Sequence, residues 1–369
     1  MIFSMQKKIV TLGLALTILA SLFSTAAPVQ AAHGVPGSAD FGIGVSLDPR
    51  TSFSSDGIRL AGSLNVDWVN LKFDWKANQP LMAQGIDFTQ LDQVMLTALT
   101  HNQPVMISLT NPPEEARTST GPDISAVSHL VITLAQRYAG VLQAVELFPA
   151  ANTSAGWTAQ PDPAAYAQLM AAVHQALTDN QLDLYLVAGG LQPLNHLANG
   201  DMDDLLFLQG LYAAGANQWM QILSLNLDNL SGETLTPPSV TNHQVLRHYE
   251  EIRQVMLNNQ HSAGLIWVTL INAPSGTIKS ASTSGRDSNS RVRWYADAVS
   301  QLRSQLYIGV VFAAQLNPTE NQADSLIQTD GSFGNYYVTF RNLIQQNNYL
   351  SSNSKPGRSK SDALLKIRN

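Results

Sequence analysis

Leu142-Gln143-Ala144-Val145-Glu146-Leu147-Phe148 is a short, mostly apolar run, and Asp162-Pro163-Ala164-Ala165-Tyr166-Ala167-Gln168-Leu169 opens an amphipathic pattern that continues to Thr178. The first reads as a buried strand, the second as a helix with Asp162 at its N-cap. One strand followed by one helix of this length is the repeating unit of a parallel sheet. The unit recurs in both directions. Further β-runs are Phe41–Leu47, Asp67–Phe73, Pro104–Leu109, Leu184–Ala188, Met220–Leu225, Leu265–Leu270 and Leu306–Phe312. Most are continuously apolar, as expected of parallel strands covered on both faces. Helical patterns lie between them at Phe88–Asn102, Ile124–Tyr138, Asp203–Ala214, Gln244–Asn259 and Arg291–Gln305, with Asp123 and Ser290 also placed as N-caps. Eight strand–helix units in one chain predict an α/β protein, a single (β/α)8 TIM barrel. A doubly wound open sheet is the alternative. Its dinucleotide form is weakened because Gly42-Ile43-Gly44 does not extend into a Gly-x-Gly-x-x-Gly fingerprint.

Composition narrows the function. The 369 residues are 44% hydrophobic, enough for a core and too many for a disordered chain. No cysteine is present, which excludes disulfides, thiolate metal sites and a Cys nucleophile. A net charge of −6 without a basic stripe argues against a nucleic-acid partner.

Lys7 and Lys8 precede an apolar stretch from Ile9 to Phe23, and Val29-Gln30-Ala31 fits the small-x-small cleavage rule. Residues 1–31 therefore read as a secretory signal peptide, with an uncleaved anchor as the other possibility. The expected location is extracellular, with no transmembrane segment after signal cleavage. Residues 32–350 are assigned to the barrel and residues 351–369 to a flexible polar tail.

On a barrel, function belongs at the C-terminal ends of the strands and in the loops that follow them. Those positions hold Asp74, Trp75, Asn111, Asn152, Trp157, Asn226 and Asp228, and a long polar stretch from Asn272 to Asn289. Amides hydrogen-bond hydroxyl groups, and aromatic faces cover the apolar faces of sugar rings. A carbohydrate site is built from that combination. The other reading of Trp75 and Trp157 is that they pack under loops.

Several stretches together resemble the clan A retaining glycoside hydrolases, particularly their β-xylosidase-like and cellulase-like barrels. They are Leu134-Ala135-Gln136-Arg137-Tyr138-Ala139-Gly140, Ala144-Val145-Glu146-Leu147 with Asn152 and Trp157, the Asp162–Leu169 run, Gly189-Gly190-Leu191, and Phe207 to Ala216. Asp67-Trp68-Val69 to Trp75 and Leu91-Asp92 fit as well. The resemblance spans Phe41 to about Asn317. It implies a general acid/base Glu in a Trp-Asn-Glu-Pro motif after strand four and a nucleophilic Glu at the end of strand seven. Here the first motif reads Phe148-Pro149-Ala150-Ala151, and the second reads Trp267-Val268-Thr269-Leu270. Ala150 and Leu270 stand in the two catalytic places.

Retaining hydrolysis needs two carboxyl groups roughly 5–5.5 Å apart. Neither a methyl nor an isobutyl group can transfer a proton or form a glycosyl-enzyme intermediate. The sequence thus predicts a secreted, catalytically inactive relative with no catalytic residues of the family type. Its expected role is glycan binding or scaffolding at the cell exterior, with a poly- or oligosaccharide partner. One alternative is an active hydrolase of O-glycosyl bonds using substitute carboxylates such as Asp74 and Asp228, with Glu114 and Glu115 also near the mouth. Another is a structural envelope interaction protein. Glu146, four residues before Ala150, is expected one layer deeper in a buried hydrogen-bond network.

Other chemistries find no support. His243 and His248 are five apart on a predicted helix, which turns them to different faces, whereas a helical zinc pair wants a spacing of four. No metal site and no cofactor are expected, and no Gly-x-Ser-x-Gly elbow or phosphate loop occurs.

Overall fold

A computed structural model of the chain describes residues 33–38, 40–51, 54–197, 200–228, 230–270, 286–316, 325–328 and 330–354. Within them strands and helices alternate eight times. The order is β1 (Gly42–Leu47), α1 (Ser54–Leu64), β2 (Trp68–Asp74), α2 (Thr89–Thr100), β3 (Val105–Thr110), α3 (Ile124–Arg137), β4 (Leu142–Leu147) and α4 (Pro163–Asp179). It continues with β5 (Tyr185–Leu191), α5 (Asp204–Ala213), β6 (Ile222–Asn226), α6 (Tyr249–Asn258), β7 (Leu265–Thr269), α7 (Arg286–Arg303), β8 (Ile308–Gln315) and α8 (Tyr337–Ser354). Each strand pairs in parallel with its sequence neighbours, and β8 closes on β1. This is a (β/α)8 TIM barrel.

The two faces of each strand explain its apolar run. Alternation sends Ile43, Val45 and Leu47 of β1 outward under the helices, with Val69, Leu71 and Phe73 of β2, into one large apolar shell. The opposite parity fills the barrel. Trp68, Met106, Ala144, Val187, Ile222, Trp267, Val310 and Phe312 form a separate inner cluster. Val35 joins them from the N-terminal segment, which lies against the N-terminal ends of the strands. The Trp68 indole donates to His33 O at 2.9 Å and the Trp267 indole to Gly34 O at 2.8 Å. Gly34 has φ +80°, and a Cβ there would lie 2.2 Å from Gly309 O, so only glycine permits this seal.

Above that apolar plug, the inward positions turn polar. They include Ser46, Asn70, Lys72, Ser108, Glu146, Ser224 and Thr269; Ser46 pairs with Asn70, and Ser108 pairs with both Lys72 and Glu146. The barrel is therefore dry at its N-terminal end and hydrophilic toward its C-terminal mouth.

Asp123 and Asp162 cap their helices as expected, accepting from the N–H groups of Ala126 and of Ala164 and Ala165. Three boundaries differ from expectation. α7 begins at Arg286, so Ser290 lies inside the helix and is not its cap. Residues 286–290 include no apolar side chain from which periodicity could read the first turn. The helix expected from Gln244 begins at Tyr249, after a 3-10 turn at Leu246–His248, because Val245 is extended (φ −127°). α8 runs to Ser354, past the expected start of the tail at 351. The signal-peptide assignment (residues 1–31), residues 271–285, Asn229 and residues 355–369 lie outside the described residues.

Candidate functional site

The mouth is built from the residues that end the strands. Asp74, the last residue of β2, caps the short helix Trp75–Asn78, where its Oδ1 accepts from Ala77 N at 3.0 Å. The same oxygen accepts from Asn111 Nδ2 at 3.0 Å, and Oδ2 pairs with Arg50 at 3.2 Å. Asn111 follows β3 with φ +50°, and its Oδ1 accepts from Arg117 at 3.0 Å. Arg50 also holds Asp48 at 2.9 Å. The Asp48 carboxylate, opposed by burial and helped by Asp74, lifts the Arg50 guanidinium above its ordinary range. Asp48, Arg50, Asp74, Asn111 and Arg117 thus form one polar arc across the ends of β1, β2 and β3. Arg50 and Asn111 are exposed and Asp74 partly so. Among the described residues, this arc presents polar groups that are open to a ligand.

Across the barrel, β6 ends in Asn226, which is half-buried, and its Oδ1 has no hydrogen-bond partner among the described residues. Asp228 follows two residues later, also half-buried. Sequence reading placed Asp74, Asn111, Asn226 and Asp228 at the rim, and the structure puts all four at the C-terminal ends of β2, β3 and β6.

Three other candidates are committed to packing. Trp75 and Trp157 are each 1% exposed, so neither presents a ring face to solvent. Their indole N–H groups donate to Gln79 Oε1 at 2.8 Å and Thr120 O at 2.7 Å. Trp157 packs edge-on to Phe148 and beside Tyr166. Asn152 is fully buried. Its amide donates to Gln192 O and Met202 O and accepts from Gln192 N, each at 2.9 Å. It ties the turn after β4 to the loop after β5, and no hydrogen-bonding capacity points outward.

The turn after β4 carries an unusual backbone. Phe148 has φ +54° and Ala150 φ +60°, a region that residues with a Cβ enter at a cost of roughly 1–3 kcal/mol each. Surrounding bonds hold it there. Ala150 N donates to Gly190 O at 2.8 Å, and Ala150 O accepts from Thr153 N at 2.8 Å and Thr153 Oγ1 at 2.9 Å. Ala150 remains half-exposed, whereas Leu270 is fully buried in the outer apolar shell with Ile266 and Val268. The expectation that Leu270 stands in the nucleophile's place is corrected: it has the outward parity of β7, and Trp267 and Thr269 are the residues that face the lumen there. Strain of this kind clusters at functional sites. Here it holds a methyl group.

Below the rim, Glu146 is 2% exposed. Burial pushes its carboxyl above the usual carboxylate range, opposed by hydrogen bonds to Ser108 and Ser224 and by the Lys72 charge. Ser108 Oγ contacts both Glu146 Oε2 and Asn70 Oδ1, the latter at 2.8 Å. A Cβ on Gly190, where φ is +40°, would come within 2.9 Å of Glu146 Oε1, so glycine leaves room for the carboxyl. A depression of 370 Å³ lined by Gly140, Gln143, Gln181, Asp183 and Tyr185 lies at the N-terminal ends of β4 and β5, opposite the mouth. That end of a barrel serves stability and not chemistry.

Sequence reading missed one cluster. His243 is not on a helix: it sits in the loop before the 3-10 turn, and that loop folds back. His243 Nδ1 lies 3.0 Å and His248 Nδ1 2.9 Å from the same oxygen, Glu251 Oε2. The expectation that the two histidines face apart is corrected, because it assumed a helix through Gln244. His248 Nε2 meets Asp204 Oδ2 at 2.6 Å, with neither side chain exposed.

The closed barrel is a (β/α)8 fold similar to that of solved glycoside hydrolases. A family 39 glycoside hydrolase from the gut symbiont Bacteroides cellulosilyticus WH2 superposes with a TM-score of 0.55 at 15% identity, over 83% of this chain and 64% of that one. Xylanase 10B from Thermotoga petrophila RKU-1 gives 0.57 at 11% identity, over 84% and 95%. A GH5_18 protein from Bifidobacterium longum subsp. infantis gives 0.58 at 12%, over 83% and 79%. At these identities the likeness is one of fold. No protein-family model matches the sequence, and no curated protein matches it.

Proposed function

We propose that this chain is a secreted, glycosidase-like barrel that binds an oligo- or polysaccharide at the cell exterior without cleaving it. One observation carries the reading. The strained turn after β4 survives, held by Gly190 and Thr153, with Ala150 where the resemblance calls for a proton donor. At the end of β7, where the resemblance calls for the nucleophile, Leu270 faces the outer shell, and the described lumen-facing residues, Trp267 and Thr269, carry no carboxyl. The solved structures of this fold include a xylanase complexed with xylobiose, which supports a sugar as the ligand class. The polar arc of Arg50, Asp74, Asn111 and Arg117, with Asn226 and Asp228 opposite, is the surface that would hold it.

Substitution of the missing acid and nucleophile by Asp74 and Asp228 is the competing reading. Against it, Asp74 is already engaged by Ala77 N, Asn111 and Arg50. Calorimetry with β-linked oligosaccharides, paired with aryl β-glycosides as hydrolysis substrates, separates the two. Saturable binding that weakens in Asn111→Ala, with no aryl release, is expected. Turnover that disappears in Asp74→Asn or Asp228→Asn would replace this reading with an active hydrolase. Absence of binding to every glycan tested would leave a structural envelope role.

A further inference from the structure

His243, His248 and Glu251 bring three ligand atoms within 4.8 Å of one another. The arrangement lies at the mouth end of the helical shell, away from the polar arc: His248 ends the 3-10 turn that leads into α6, Glu251 lies in the first turn of α6, and Asp204 in the first turn of α5. Three features of its construction matter. Both histidines turn the same atom, Nδ1, toward the same carboxylate oxygen. The far nitrogen of His248 is held by a fully buried carboxylate, Asp204, at 2.6 Å. Metal-binding imidazoles are oriented and made more basic by just such an outer carboxylate. Lastly, the His243 side chain is 18% exposed and that of Glu251 30%, so the cluster reaches solvent on one side and a cation has an entry path and an open coordination position.

Backbone contacts place the loop independently of the rings. Asn195, in the loop after β5, accepts from His243 N at 2.7 Å and donates to Asn242 Oδ1 at 3.0 Å. His243 is therefore carried to the cluster by its main chain and not merely drawn in by Glu251. The two rings stand nearly perpendicular, at 82°, with centroids 5.7 Å apart.

We propose that His243 Nδ1, His248 Nδ1 and Glu251 Oε2 form a binding site for a divalent transition-metal ion of the zinc type. Two imidazoles and a carboxylate are a donor set that zinc favours, at about 2.0–2.2 Å from each atom. Without metal, the protons on the two Nδ1 atoms bridge to Glu251 and stand where the cation goes. Binding displaces the Nδ1 protons of both rings to solvent. His248 keeps its Nε2 proton on Asp204, and the rings close by a distance on the order of 1 Å to reach coordination length. The ion would cross-link the loop after β6 to α6 and, through Asn195 and Asp204, to the segment after β5. Its role is to fasten one side of the mouth.

The test is calorimetric titration of the untagged full chain, stripped with a chelator, against zinc chloride. One ion per chain is expected. His243→Ala and Glu251→Gln should each weaken binding at least tenfold, and Asp204→Asn by about 10–100-fold through its hold on His248. Circular dichroism checks that each variant keeps its fold. X-ray absorption at the zinc edge gives a second readout that needs no variant, with two imidazoles in the coordination shell expected. Absence of binding by the wild-type chain overturns the site. So does unchanged affinity in folded His243→Ala and Glu251→Gln, or a shell without imidazole.

Discussion

His248 and Asp204 share a 2.6 Å hydrogen bond from which water is wholly excluded. Burial alone would push the imidazole down. The carboxylates of Asp204 and Glu251, each accepting a hydrogen bond from it, outweigh that effect and lift it to about 9 from an ordinary 6.5. A folded value above the unfolded one gives stability that is complete below pH 6.5 and lost as pH rises through 9. The shift corresponds to a loss on the order of 3 kcal/mol. Glu251 acts at the other end: the hydrogen bond from His248, ahead of the opposing effect of burial, holds its carboxyl below the usual range, so its contribution disappears in acid. Urea midpoints measured with chelator present should therefore fall between pH 6.5 and 9, and His248→Gln should flatten that fall.

Glu146 follows the opposite rule for its type. Its raised value means that the folded state disfavours the charged form, so stability declines as pH rises above the unfolded carboxylate range. The hydrogen-bond chain accounts for this. Ser108 has one hydroxyl hydrogen but meets two acceptors, Asn70 Oδ1 and Glu146 Oε2. A protonated Glu146 resolves the conflict by donating to Ser108, which then donates to Asn70. Glu146→Gln supplies a permanent donor of the same shape. It should stabilise the protein at neutral pH by about 1 kcal/mol. The gain should shrink in acid, as read from denaturant unfolding of both proteins across pH.

The barrel was legible because its strands are covered on both faces. Ile43, Val45 and Leu47 feed the outer shell, while Trp68, Trp267 and Phe312 fill the inside. Strand positions thus stand out as apolar runs whatever the loops do. The rim residues Asp74, Asn111 and Asn226 followed from strand ends alone. What could not be read was which rim side chains remain available. Asn152 and Trp157 occupy positions that look equally suitable, yet contacts with Gln192, Met202 and Thr120, all distant in sequence, commit them to packing. The His243 cluster was hidden for a similar reason. Its spacing to Glu251 has meaning only once Val245 breaks the helix and Asn195 draws the loop back.

Asp92 joins α2 to α3 through three groups at once. Arg137 Nε donates to it at 2.7 Å and Arg137 Nη2 at 2.5 Å, and Tyr138 Oη donates at 2.8 Å. The guanidinium also lies 4.6 Å from the Phe88 ring centroid. Removing the carboxylate leaves a largely buried cation and a buried hydroxyl without their acceptor. Asp92→Ala should cost roughly 2–4 kcal/mol, more than an exposed ion pair is worth. A double-mutant cycle with Arg137→Ala should give a coupling energy well above that of the exposed pair Lys76–Glu114, whose atoms are 3.6 Å apart.

Trp157 separates packing from recognition. Its ring is wedged between Phe148 and Tyr166, and its N–H fastens the loop at Thr120. Trp157→Ala should destabilise the fold by about 3–5 kcal/mol. Trp157→Phe keeps most of the apolar volume but orphans the Thr120 carbonyl, and should cost less. If the ring only packs, the folded Phe variant keeps the wild-type affinity for any bound glycan in calorimetry. A large loss of affinity at unchanged stability would show that the ring contacts the ligand.

Ala150 and Leu270, the positions that the resemblance to glycoside hydrolases singles out, differ in how each would accept a carboxyl group. Ala150 is half-exposed and already holds φ +60°, so Ala150→Glu adds a solvated carboxyl to a backbone that tolerates a Cβ. That variant should fold with stability within about 1 kcal/mol of the parent. It should still release nothing from aryl β-glycosides, because a proton donor without a nucleophile cannot form the glycosyl-enzyme intermediate. Leu270 is fully buried beside Ile266 and Val268, and Leu270→Glu places a carboxylate in that shell. The expected cost is at least about 3 kcal/mol, with the introduced carboxyl titrating well above the normal range. Urea unfolding of the single and double variants measures both effects. Full stability in Leu270→Glu would mean that its side chain reaches the polar lumen, and the pair of substitutions would then become a route to hydrolysis.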